Sequence, residues 1–188
     1  MDAARENRAT RTFPAALAGL QAGMIAALWM LAWLGVSAAW QRTSFWTAEN
    51  LMASTFWGAD AIHAGFAFST VSGAALYLAV YSLLGCALAL AVRNRLPRPR
   101  LLLVSLVFAL VWFYLSFHGI WKAASPLVPL LYTERPMLLG HVLFGALLAR
   151  FPRYLPPAAP PAGGEIPVEA VVLAQGEAES PDRAEPAG

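Results

Sequence analysis

The stretch AGFAFSTVSGAALYLAVYSLLGCALALAV (Ala64–Val92), followed at once by RNRLPRPR (residues 93–100), decides the fold. The first part holds no Asp, Glu, Lys or Arg. It is longer than the roughly 20 apolar residues a helix needs to cross the hydrocarbon core of a bilayer. The second part carries four arginines and two prolines. Pro97 and Pro99 lack a backbone N–H and restrict the residue before them, so the helix must stop. The next apolar run, Leu101–Trp121, is then a separate helix, antiparallel to the first. Outward from this hairpin lie two more apolar runs, Pro14–Trp40 and Met137–Phe151.

The chain therefore reads as all-α: an integral membrane four-helix bundle with helices over about 14–40, 64–92, 101–121 and 137–151. Residues 1–13 form a cytoplasmic N-terminal segment and 14–153 the transmembrane domain. Residues 154–188, rich in Pro, Ala and Glu, form a disordered cytoplasmic tail that lacks the apolar area to offset its ordering entropy. Within the tail, Val168–Leu173 is a short apolar island.

Composition agrees. Of 188 residues, 59% are hydrophobic and only 13% charged, which places the chain in the membrane class. The net charge of +2 comes from arginines gathered at helix ends. That pattern marks topology and not a nucleic-acid surface. Cys86 is alone, so neither a disulfide framework nor a Cys-pair zinc site follows. Arg5, Arg8 and Arg11 before an apolar run that ends near Ser37-Ala38-Ala39 resemble a secretory leader. The run is far longer than the roughly 7–15 residues of a signal core, so an uncleaved first helix is expected.

Arginine density alternates along the chain. Arg5, Arg8 and Arg11, the four arginines of 93–100, and Arg150 with Arg153 fall on one side; Arg42, Lys122 and Arg135 fall on the other. The richer side is cytoplasmic. Both termini then face the cytoplasm of a bacterial inner membrane, as an even number of crossings requires. Trp40, Trp46, Trp57 and Trp121 form an outer aromatic belt, and Tyr154 an inner anchor.

Between the first two helices, Ser44–Gly58 predicts a short outer interfacial helix, capped by Ser44 or Thr47 and ended by Gly58. An ordered loop packed on the helix ends is the alternative. The second outer segment contains Pro126, Pro129 and Pro136, the last suited to a first helical turn. The fourth helix, at about 22 Å, is short for a core of roughly 30 Å.

Small residues recur every four positions: Ala15, Gly19, Gly23 and Ala27, then Gly65, Ser69 and Gly73. Such stripes let helix backbones approach closely. They imply packing within the chain or a homodimer interface. Three histidines, His63, His118 and His141, are assigned to the outer third of the bundle, with Asp60, Tyr114 and Glu134 nearby. A His/carboxylate cluster suits a transition metal, facing histidines suit a haem, and a histidine beside Tyr114 suits a quinone head group. Hydrogen bonds between helices are the plainer role. Mid-depth Asp, Glu, Lys and Arg are missing from the spans, which argues against a proton-coupled carrier. No phosphate loop, H-E-x-x-H pair or G-x-S-x-G elbow supports an enzyme.

Asn50-Leu51-Met52-Ala53 leading into Gly58, Phe113-Tyr114 in the third helix, and Gly140-His141-Val142-Leu143-Phe144-Gly145 opening the last carry a resemblance. Over residues 14–152 the chain resembles a group of small bacterial four-helix inner-membrane proteins with no assigned activity. The resemblance implies the four-helix fold and singles out His141 and Gly145. The proline-rich tail lies outside it.

Three functions stand at this point. The first is a non-enzymatic accessory or structural membrane protein acting through helix–helix contacts in the lipid bilayer, alone, as a homodimer or in a larger complex. It needs no cofactor and no nucleic acid. The second is a haem-, quinone- or metal-binding protein using the histidines. The third is a passive oligomeric channel.

Overall fold

A computed structural model describes residues 2–92, 96–124 and 133–156. All regular structure among them is helical. Helix α1 spans Asp2–Trp40, α2 Thr47–Trp57, α3 Phe68–Val92 and α4 Arg98–Leu115. Beyond Leu115 the α4 rod continues through one π-helical turn, Ser116–Ile120, into a last turn, Trp121–Ala124. Helix α5 spans Glu134–Leu148 and is followed by a 3-10 turn, Phe151–Tyr154. Among the described residues, three segments are long and apolar enough to cross a membrane: Thr12–Trp40, Phe68–Val92 and Arg98–Ala123. At 15 residues, α5 is not among them.

Several expected boundaries move. The first helix begins well before Pro14, which lies inside it. The helix expected from Ala64 begins only at Phe68. Gly65 adopts φ +64°, a left-handed conformation that ends helical runs and suits glycine. A 3-10 turn, Ala59–His63, fills part of the gap. The third helix starts earlier than expected, at Arg98, because Pro97 is its extended N-cap and Pro99 fits the first turn. The fourth is shifted toward the N-terminus, with Pro136 in its first turn and Phe151 beyond its end. The break residues 93–95, the prolines at 126 and 129, and the tail from residue 157, including Val168–Leu173, lie outside the described residues.

Helices α1 and α3 run antiparallel, with their backbones almost touching. A Cβ on Gly19 would lie 2.5 Å from the Gly85 carbonyl oxygen, and one on Gly23 2.6 Å from the Tyr81 carbonyl oxygen. A Cβ on Gly85 would run into the Gly19 carbonyl. The stripe on α1 is therefore covered by α3 of the same chain, and its partner there is Gly85, which lies outside the Gly65–Ser69–Gly73 series. Gly73 instead seats α2, pressing on the Glu49 carbonyl. Ser69 is half-buried, and its carbonyl accepts a hydrogen bond from Ser72. Gly65 has open space where a side chain would be, so it serves the turn and not the packing.

On the other side, α5 lies between α1 and α4. Gly140 packs on Met30 and Trp33 of α1, while Gly145 packs on Ser105, Leu106 and Ala109 of α4. Trp33 Nε1 donates to the Pro136 carbonyl (2.9 Å). The buried face of α5, with Met137, His141, Phe144 and Leu148, repeats every three to four residues, as one stripe of a helix should.

Helix α2 is a helix packed on helix ends. Its middle, Ala48–Ser54, is buried, while Thr55, Phe56 and Trp57 are exposed. Trp46 is its N-cap and no side chain caps it, so the expected Ser44 or Thr47 cap does not form. Thr47 Oγ1 donates instead to the Ser44 carbonyl. Gly58, at φ +68°, ends the helix as expected. A buried polar knot ties α2 to the approach to α3. Asn50 Nδ2 donates to the Gly65 carbonyl (2.8 Å), and Thr70 Oγ1 donates to Asn50 Oδ1 (2.7 Å).

Candidate functional site

A buried polar group lies where α3, α4 and α5 face one another. Tyr77 and Tyr81 stand four residues apart on α3, so they share a face. Their rings stack with centroids 4.3 Å apart. The Tyr81 hydroxyl meets His141 Nε2 at 2.8 Å, and His141 Nδ1 meets the Met137 carbonyl at 2.8 Å. A carbonyl can only accept, so Nδ1 carries a proton. In the neutral ring Nε2 is then the acceptor, and Tyr81 donates to it. The carbonyl one turn back on α5 thus sets the tautomer that α3 reads.

Aromatic rings close the site. Phe144 meets Tyr81 edge-on (4.9 Å), and Phe113 of α4 lies 5.1 Å from His141. The polar atoms of Tyr77 and Trp112 approach the Tyr81 hydroxyl, although Trp112 Nε1 does not reach hydrogen-bond geometry. His141 is fully buried and Tyr81 nearly so.

The three histidines do not form one site. His63 is exposed on the 3-10 turn before α3, beside the equally exposed Asp60. His118 is exposed on the π-helical turn of α4 and stacks on Tyr114 (4.7 Å, 25° between planes). His141 is buried on the far side of Phe113, which touches both rings. Glu134 is exposed in the first turn of α5. Among the described residues, no group of three His, Cys, Asp or Glu side chains is placed to hold a metal ion.

The expected depth of His141 is also corrected. Its partner Tyr81 lies near the middle of α3, and His141 itself near the middle of α5. The short α5 does not start an outer-end site; it carries its histidine to the centre of the longer helices. His63 does belong to the α2 end, and His118 is within two turns of it.

A small cavity of about 70 Å³ opens at the α2 end, between α1, α2 and α5. Ser37, Gln41, Thr43, Thr47 and Thr133 give it a polar lining, and Gln41 Oε1 accepts from Thr133 Oγ1 (2.8 Å). None of the three histidines lines it.

Tyr77 and Tyr81 were not anticipated from the sequence. The available signal was two hydroxyl-bearing rings one turn apart in a span otherwise made of Ala, Leu, Val, Ser and Gly, with one Phe, one Thr and one Cys. A buried phenol needs a partner, and the chain offers few. No protein-family model, no curated protein and no solved structure matches the chain.

Proposed function

We propose that this chain is a four-helix integral membrane protein of the bacterial inner membrane, acting as a non-enzymatic accessory or structural protein through helix–helix contacts. Three candidate spans support the membrane setting. Broad apolar faces also point outward, among them Leu28, Trp29 and Val36 on α1 and Leu103, Val107 and Val111 on α4. The short α5 completes the bundle by packing between two long helices, without needing to span unaided. Arg98, Arg100, Arg150 and Arg153 are exposed at the end opposite α2, which supports a cytoplasmic arginine end and an outer α2 end. The resemblance to small four-helix inner-membrane proteins points the same way.

One observation carries the choice of a structural role: both ring nitrogens of His141 are engaged by the chain itself. A haem or metal at His141 would have to displace the Tyr81 hydroxyl or the Met137 carbonyl. The polar core is thus spent on fastening α3 to α5, a role that polar side chains take between membrane helices.

Elemental and optical analysis of protein purified in mild detergent tests this. The expected result is no visible absorption band and metal far below one equivalent. An equimolar metal or chromophore that is lost on His118→Ala or His141→Ala would replace the structural role with a binding one.

A further inference from the structure

Glu49 is the one acidic side chain of the chain that the fold buries among the described residues, at 4% exposure. It sits in α2, the only ionisable residue of that helix, at the point where α2 meets α3. Its carbonyl rests against Gly73, and the next residue, Asn50, forms the knot with Thr70 and Gly65. Glu49 Oε2 is buried and has no hydrogen-bond partner. A carboxylate buried without a cation is among the costliest groups a fold can hold, whereas the protonated acid is tolerated far better.

Among the described residues, the surroundings offer no cation. From α3, the titratable side chains are Tyr77, Tyr81 and Cys86. The 3-10 turn packed on α2 contributes Asp60 and His63, both exposed. The span of α1 that α2 touches has no charged side chain, and Arg42 just beyond it is exposed. Glu134 and Arg135, at the start of α5, are exposed as well. None of these forms an ion pair with Glu49.

We propose that Glu49 is a proton-operated latch: α2 is held on α3 while the Glu49 carboxyl is protonated, and its docking weakens when the carboxyl ionises. Burial supports the direction, since it raises the affinity of the carboxyl for its proton above the ordinary value, partly opposed by the residue's own backbone amide. An acid whose pKa is raised by docking contributes stability that is complete below the free value of 4.5. That contribution is lost as pH rises from there through the raised value, and it stays lost above it. The knot of Asn50 and Thr70 does not titrate, so α2 loosens while staying tethered to the approach to α3. A cap of this kind, beside the polar cavity lined by Thr47 and Ala48, makes the outer end of the bundle responsive to external acidity.

Hydrogen exchange of the full chain in lipid nanodiscs, read on the peptide covering residues 47–57 at pH 5 and pH 8 and corrected for intrinsic rates, tests the latch. Glu49→Gln keeps the shape and removes the charge; Glu49→Met does the same without a polar amide. At pH 5, close to the free value, the natural chain is expected to fall only slightly behind both variants. At pH 8 the variants are expected to exceed the natural chain by about tenfold for each unit by which docking raises the pKa. Asp60→Asn and His63→Gln should leave the pH dependence intact. Equal protection of natural and variant chains at both pH values overturns the proposal, as does a difference of the same size at both. If Glu49→Gln does not fold, Glu49→Met decides.

Discussion

The seam between α1 and α3 and the core between α3 and α5 hold the same helix in opposite ways. The seam works by the absence of side chains. Gly19, Gly23 and Gly85 bring two backbones into contact, and dispersion over that contact holds them. The core works by the presence of large ones. Helices α3 and α5 do not pack backbone to backbone; Tyr81, Phe144 and His141 fill the space between them. The seam tolerates nothing added, and the core tolerates nothing removed. Both faces belong to α3, and Tyr81 serves each: its carbonyl lies against Gly23 and its side chain reaches His141.

This contrast can be broken most severely at the seam. Gly85→Leu must push α1 from α3, because the added atoms meet the Gly19 and Gly23 backbone, which cannot move aside like a side chain. A loss of about 3 kcal/mol or more is expected, read as a large drop in the thermal unfolding midpoint in detergent. Stability close to that of the natural chain would mean that the seam is looser than described.

The core gives the next effect. His141→Ala leaves a cavity and strands the Tyr81 hydroxyl, with an expected cost of about 2–4 kcal/mol. Tyr81→Phe removes one hydrogen bond and keeps the packing, for about 1 kcal/mol. In a double-mutant cycle the two losses should fall short of additive, because each variant removes the same bond. Strict additivity would show that Tyr81 and His141 act independently. The smallest effect is expected at His118→Ala. An exposed ring stacked on Tyr114 should change stability by less than about 0.5 kcal/mol. A larger loss would give the π-helical turn a structural role of its own.

Legibility divided along the same line. The spacing of Gly19 and Gly23 announced a close approach, because small residues four apart on a helix are visible without a partner. Gly85 was not singled out, since one glycine in a long apolar run has no pattern. His141 was singled out as a polar residue in a span. Its depth was misjudged, because depth depends on where a short helix sits against longer ones. Tyr81 was passed over entirely, since nothing in the order of residues pairs positions 60 apart. Glu49 has no signal of its own in the order of residues; only packing against Gly73 turns it into a buried acid.

The sequence by itself determined the long apolar helices, the proline break between α3 and α4, and the glycine that ends α2. These follow from local chemistry: apolar length, a missing N–H, and a φ that other residues resist. Tertiary structure alone decided that α1 meets α3 through Gly85 and that α5 carries His141 to the centre. It also decided that the three histidines stay apart and that Glu49 loses its access to water. Those outcomes depend on which faces meet, and a face has no partner until the helices pack.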